Sequence, residues 1–110
     1  MPVTTKTIIP DPTHTDSDKY KVILENEIVR AFDYTDTPGD KTQMHHHRRF
    51  VLYALSSFKR KLTFENGKSV EREFFGGEVL WNDEQSHIGE NIGETNTHVL
   101  IVELKDSTKS

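Results

Sequence analysis

Turn signals divide the chain into short, β-rich segments at intervals of about ten residues. Eight of these segments are predicted strands, at 20–24, 28–35, 50–56, 58–64, 69–75, 78–82, 87–93 and 98–104. Pro38-Gly39, Asn66-Gly67 and Gly76-Gly77 mark the main turns between them, and Asn-Gly is a strong hairpin signal. Helical periodicity is almost absent, so the sequence predicts an all-β fold, either a barrel or an immunoglobulin-like sandwich.

The length of 110 residues is typical of one domain. Residues 1–18 contain three of the four prolines and are predicted to form an extended N-terminal arm with little core content. Residues 19–105 form the predicted domain, and 106–110 form a frayed C-terminal tail. The run 50–56 is continuously apolar, which is typical of a strand that is covered on both faces.

Composition excludes several classes of function. The chain has no cysteine, which rules out disulfides, cysteine nucleophiles and thiolate metal sites. The formal net charge of −4 argues against nucleic acid as a partner, and the basic stretch Lys59-Arg60-Lys61 is expected to lie on a solvated strand edge. No apolar run approaches the ~20 residues of a membrane span. The first residues lack an export signal, so we expect a cytoplasmic protein without a membrane partner.

Three consecutive histidines, His45 to His47, are the most informative polar residues. On an extended segment His45 and His47 point to the same face, with Cα atoms about 6.5 Å apart, whereas His46 points to the other. His87 follows a predicted strand and a polar turn, and antiparallel pairing could bring it to the same place as a third ligand. The alternative is a solvated basic loop, because two arginines follow directly.

Imidazole nitrogens suit zinc, copper, iron and nickel. Three of them leave a divalent ion with open coordination positions, which is more natural for a catalytic site than for a sealed structural one.

The spacing of these residues resembles two sequence motifs of the cupin superfamily. Gly39, His45 and His47 match the first motif, and Gly76, His87 and Asn91 match the second. The resemblance implies a double-stranded β-helix, or jelly roll, with His45, His47 and His87 as metal ligands. It also implies a homodimer.

The first motif departs from the family pattern in one respect. Val51 and Leu52 occupy the positions where cupins normally carry a glutamate ligand. The resemblance to three-histidine cupins then implies an Fe(II)-dependent dioxygenase that acts on a small chelating carbonyl or carboxylate compound. Two alternatives stay open: a non-redox isomerase, cyclase or lyase with zinc, manganese or nickel, and a non-enzymatic module that binds or senses a small molecule.

Three polar residues near the histidines are predicted to act on the substrate. Gln43 shares the strand face of the histidine pair, Arg49 could bind a carboxylate, and Tyr53 lies an even number of residues from His47. His98, which begins the last predicted strand, is expected in the core or at the cavity rim, with a possible supporting role behind the metal ligands.

Overall fold

The computed structural model describes residues 9–105. Nine strands form two antiparallel sheets that pack face to face. The strands are β1 Tyr20–Glu25, β2 Val29–Asp36, β3 His45–His47, β4 Phe50–Ala54, β5 Phe58–Phe64, β6 Ser69–Phe74, β7 Val79–Asn82, β8 Gln85–Asn91 and β9 Thr97–Leu104. The first sheet has the order β1-β2-β9-β4-β7 and the second the order β3-β8-β5-β6, so the predicted all-β jelly roll is confirmed.

The turns lie where glycine permits them. Gly39 and Gly67 have φ values of 91° and 86°, a left-handed conformation that side chains with a Cβ rarely adopt. Gly67 closes the predicted hairpin between β5 and β6, which pair from Phe58↔Phe74 to Thr63↔Ser69. Local turn chemistry therefore determines where these strands begin and end.

The described part of the predicted arm is not extended. A one-turn helix, α1, runs from Pro12 to Thr15, and Pro12 and Asp16 are buried. Asp11 caps the helix by accepting a hydrogen bond from the backbone N–H of Thr13 at 2.9 Å. The backbone N–H of His46 donates to the carbonyl of Pro10, which fastens the segment to β3. Residues 1–8 and the predicted tail 106–110 lie outside the described residues.

The core between the sheets is aromatic and aliphatic. Its buried members are Tyr20, Phe32, Tyr34, Phe50, Ala54, Phe58, Phe74, Val99 and Ile101. They come from both sheets and occupy alternate positions along their strands, as expected when each sheet turns one face inward. Within residues 9–105, no helix is long and apolar enough to cross a membrane.

One strand prediction fails because apolar residues also occupy the outer face of the first sheet. The run 50–56 was expected to be covered on both faces, but Tyr53 and Leu55 are 38% and 45% exposed. Only the inner face, with Phe50 and Ala54, is buried by this chain.

The basic stretch in β5 is also placed differently from the prediction. β5 pairs with β6 on one side and β8 on the other, so it is not an edge strand. Arg60 points inward and is buried, where its Nη1 donates to Asp36 Oδ2 at 2.6 Å and to Thr97 Oγ1 at 3.1 Å. Its Nη2 donates to the hydroxyl of Tyr34 at 3.2 Å. Because Asp36 and Thr97 belong to the opposite sheet, this polar cluster joins the two sheets through the core.

Gly89 on β8 provides the space for the Arg60 guanidinium. A Cβ added at Gly89 would lie 2.6 Å from Arg60 Nη2, whereas one added at Gly76 would lie no nearer than 3.6 Å to any atom. Moving the Arg60 guanidinium away would be costly, because its hydrogen bonds to Tyr34, Asp36 and Thr97 would be lost in a buried environment.

We expect Gly89→Ala to lower the free energy of unfolding by roughly 1–3 kcal/mol, the usual cost of overpacking. Chemical denaturation measures the change. Gly76→Ala is the matched control and should alter stability by less than about 0.5 kcal/mol. Equal stability of the two variants would contradict the close packing of Gly89 against Arg60.

Candidate metal centre

Strand register brings the three predicted ligands together. β3 and β8 pair antiparallel with His45 opposite His87 and His47 opposite Gln85. Residues opposite each other in such a pair have neighbouring side chains on one face. His47 is two positions from His45 and shares that face, so two short stretches of strand position all three imidazoles. His45, His47 and His87 are all buried.

The rings lie close enough to share one ion. The ring centroids are 4.8 Å apart for His45 and His47, 4.9 Å for His45 and His87, and 5.2 Å for His47 and His87. One ligand nitrogen from each residue lies within 4.8 Å of the other two. The donor set suits zinc or a first-row transition metal, so the residues present fit the predicted metal site.

In each of the three imidazoles, the Nδ1 atom contacts an oxygen atom that fixes the orientation of the ring. This nitrogen lies 2.9 Å from the backbone carbonyl oxygen of Gln43 in His45, and 2.8 Å from Gln85 Oε1 in His87. In His47 it lies 2.8 Å from Glu103 Oε2. Since these oxygens accept, Nδ1 carries the proton and Nε2 is left with a lone pair to bind a metal. Such supporting contacts orient metal-binding histidines and fix their tautomer.

Glu103 is the functional residue that sequence reasoning missed. It is 1% exposed, faces inward on β9, and also accepts a hydrogen bond from Arg30 Nη2 at 3.3 Å. The structure thus brings a carboxylate to the site although Val51 and Leu52 carry none. The carboxylate binds the far nitrogen of His47, so it supports a ligand rather than being one. The one indication of this residue in the sequence was its position as a single acid in the apolar strand HVLIVEL.

Burial keeps two of the imidazoles uncharged. Removal from water, together with the nearby His47, lowers the pKa of His45 to about 3. Burial, followed by the neighbouring His47 and His45, lowers the pKa of His87 to about 2. At neutral pH these two residues therefore need to lose no proton before they bind a metal.

A cavity extends from the histidines into the space between the sheets. The space in and around it, open solvent included, is about 610 Å³. Its walls are largely apolar, with Phe50, Leu52 and Phe58 among them, and its charged lining residues are Arg72 and the ion-paired Arg60. The histidines thus face a largely apolar space between the sheets.

Tyr20 is a second polar group at the histidines that the sequence did not indicate. Its hydroxyl lies 3.4 Å from His45 Nε2, the nitrogen available to a metal. Burial raises the pKa of this hydroxyl, so it stays protonated and can donate a hydrogen bond.

The three predicted substrate-binding residues do not line this cavity. Gln43 is exposed, and its side-chain amide donates to the backbone carbonyl of Thr15 at 2.9 Å. Tyr53 lies on the outer face of β4, and Arg49 is exposed at the turn before β4. The contribution of Gln43 to the site comes from its backbone carbonyl. The catalytic roles predicted for the three side chains remain predictions.

The other two strand histidines lie outside the triad. His46 points away from it, as alternation predicts, and its Nδ1 and Nε2 each lie 2.7 Å from an oxygen, of Ser86 and Glu84 respectively. His98 is on the outer face of β9, where its Nε2 lies 3.2 Å from an Asp33 oxygen. The predicted inward position of His98 is therefore wrong, because the inward residues of β9 are Thr97, Val99, Ile101 and Glu103.

Solved structures share this architecture. The chain is similar to a cupin domain from Bordetella pertussis Tohama I, with 22% identity, a TM-score of 0.72 and coverage of 91% of this chain and 99% of that one. It is also similar to an RmlC-like cupin family protein from Methanocaldococcus jannaschii, at 14% identity, a TM-score of 0.62 and coverage of 77% of both chains. A cupin superfamily protein from Desulfitobacterium hafniense DCB-2 matches at 13% identity and a TM-score of 0.59, over 79% of this chain and 76% of that one.

Two antiparallel sheets closed around an interior site define the class as a double-stranded β-helix. Within that class the chain has the cupin fold, and the predicted resemblance is confirmed at this level. No family model and no curated protein matches the sequence. The histidine triad adds a site that could hold a metal ion in this fold.

We expect His45→Ala and His87→Ala to abolish metal binding, because each removes one of three ligands. His46→Ala is the matched control and should keep about one ion per chain, since its ring contacts Ser86 and Glu84 instead. Elemental analysis of protein prepared without an affinity tag measures the metal content. Equal loss in all three variants would contradict the assignment of faces along β3.

Proposed function

We propose that the chain is a small metal-dependent enzyme, and that it acts as an Fe(II) dioxygenase on a small chelating carbonyl or carboxylate compound. The observation that carries the proposal is the donor set. Three imidazoles face the cavity, and the nearby carboxylate of Glu103 is engaged by the far nitrogen of His47. Iron is the favoured ion, with zinc, manganese or nickel as the other metals that such ligands accept.

A set of metal ligands that contains no carboxylate favours an anionic substrate. Bound to three neutral ligands, a divalent ion would keep its full charge, act as a Lewis acid and, as Fe(II), support reaction with oxygen. The chain's own residues then have separate tasks. Gln85 and Glu103 fix the orientation of His87 and His47. The apolar walls exclude water, and the Tyr20 hydroxyl offers a hydrogen bond next to His45.

Oxygen consumption tests this proposal. We expect protein loaded with Fe(II) under anaerobic conditions to take up oxygen when a small β-diketone or thiol is added. His87→Ala should show no uptake because it cannot hold the ion, whereas His46→Ala should match the wild type. Bound iron without oxygen uptake across a broad panel of such compounds would contradict the dioxygenase assignment.

Tyr20 favours a second candidate, a non-redox isomerase, cyclase or lyase. Its buried hydroxyl lies 3.4 Å from His45 Nε2 and can donate a hydrogen bond to a substrate carbonyl in a reaction that needs no molecular oxygen. Product formation from carbonyl substrates under anaerobic conditions, lost in Tyr20→Phe, would support this candidate. Ligand-induced thermal stabilisation without any product would instead favour a module that only binds or senses a small molecule.

We also propose that the protein is a cytoplasmic homodimer, paired through the outer face of the first sheet. Six of the residues that β4, β7 and β9 present there are apolar, namely Val51, Tyr53, Val79, Trp81, Leu100 and Val102, and His98 lies at one end of the same face. Val79 and Trp81 are 64% and 53% exposed. An exposed apolar sheet face of this kind is typical of an interaction surface, and a second copy would cover it by symmetry.

Sedimentation velocity tests the dimer. We expect the wild type to sediment as a dimer and Trp81→Lys as a monomer, because a charge in the centre of an apolar contact is costly to bury. Phe75→Lys is the matched control, since Phe75 is similarly exposed but follows β6 in the other sheet. A monomeric wild type at all concentrations would contradict this pairing.

A further inference from the structure

The cavity contains two arginines that face each other across a strand pair. Arg60 on β5 and Arg72 on β6 are partners in register, and both line the cavity. Like charges directly opposite each other are unfavourable in a sheet unless each finds an opposite charge. Whether each guanidinium has an acidic partner within the protein therefore indicates whether its charge is available to a ligand.

Arg60 is neutralised within the protein. Its Nη1 and Nη2 atoms donate to Asp36, Thr97 and Tyr34, and the Asp36 side chain is fully buried. Its charge is thus used to join the two sheets. A ligand that recruited Arg60 would have to break a buried ion pair, which is strongly unfavourable.

Arg72 has no such partner. Among residues 9–105, no carboxylate forms an ion pair with it, and its guanidinium carbon lies 4.9 Å from the ring centroid of Phe74. The acids next to it in sequence are directed elsewhere: Glu71 and Glu73 alternate to the other face of β6, in register with Lys61 and Lys59. Arg72 is exposed at the open side of the cavity, where it is a permanently charged group with five N–H donors.

The rest of the cavity defines what this charge could bind. Phe74 beneath Arg72 is buried, and Phe58 and Leu62 on the adjacent strand continue the apolar wall. The histidine triad lines the same cavity. A compound in this space would meet a cation, an apolar wall and three metal-binding nitrogens.

We infer that Arg72 binds the carboxylate of the substrate, and that the substrate is a small monocarboxylic acid with an apolar body. This inference rests on the proposed function for the reaction at the histidines, but it names the substrate class and a specificity residue at the opposite wall. Guanidinium binds carboxylate through two parallel hydrogen bonds, and the face of Phe74 holds the guanidinium plane in place. The apolar wall selects the body of the acid.

The test uses hexanoate and hexanamide, two probes of similar size that differ in charge. Amide NMR titration of the metal-free protein measures both affinities without any contribution from an ion. We expect hexanoate to bind more tightly than hexanamide, and Arg72→Gln to weaken hexanoate by about tenfold or more while leaving hexanamide unchanged. Arg72→Lys should keep part of the preference, because it retains the charge but not the paired geometry.

Arg48→Gln is the matched control, since it removes the same charge from an exposed residue that does not line the cavity. It should leave hexanoate binding unchanged. If Arg48→Gln weakens hexanoate binding as much as Arg72→Gln does, the inference is overturned, and non-specific attraction by positive charge explains the binding. A wild type that binds hexanoate no better than hexanamide would also overturn it.

Metal content separates this inference from the proposed function. Arg72→Gln should load metal as the wild type does, because Arg72 lies on β6, which β5 separates from the histidine strands β8 and β3. If the wild type fails to bind metal but still prefers hexanoate through Arg72, the proposed enzyme is wrong and the carboxylate site stands. If metal binds but the wild type shows no preference for carboxylate, the carboxylate site is wrong and the metal site stands.

Discussion

The buried contact between Arg60 and Asp36 is the interaction on which the rest of the structure depends. It places opposite charges in the core and connects β5 of one sheet with β2 of the other. Such a pair is tolerable only when its remaining hydrogen-bonding capacity is satisfied, which Tyr34 and Thr97 achieve. Gly89 makes room for the guanidinium on β8. The requirement for an arginine in the core thus fixes the spacing of the sheets beside the cavity.

The histidine triad depends on the same second sheet. The β3–β8 register sets His45 opposite His87, and contacts behind the rings determine which nitrogen faces the cavity. Two other strands contribute contacts that the histidine motifs do not contain. Glu103 from β9 contacts His47, and the Tyr20 hydroxyl from β1 lies next to His45. The orientation of His47 therefore depends on the closed barrel, whereas His45 and His87 are oriented by residues two positions away in their own segments.

Periodicity predicted which residues form strands far better than which face of each strand turns inward. In β3 the buried His45 and His47 and the outward His46 follow simple alternation. In β9 both faces are apolar apart from Thr97, His98 and Glu103. Alternation therefore did not show which face turns inward, and the inward position of Glu103 was missed. The position of Tyr53 was misjudged for the same reason: it lies on the outer face of the first sheet, which is also apolar.

The sequence by itself determined the all-β class, the hairpin at Asn66-Gly67 and the group of three histidines that could hold a metal ion. These follow from local turn chemistry, strand alternation and a spacing that resembles the cupin motifs. Only the tertiary structure decided that Glu103 contacts His47, that Arg60 is neutralised and that Arg72 is not. These outcomes depend on contacts between strands far apart in the chain. Whether a charge is paired or left for a ligand is set by its neighbours in space, which residue spacing does not specify.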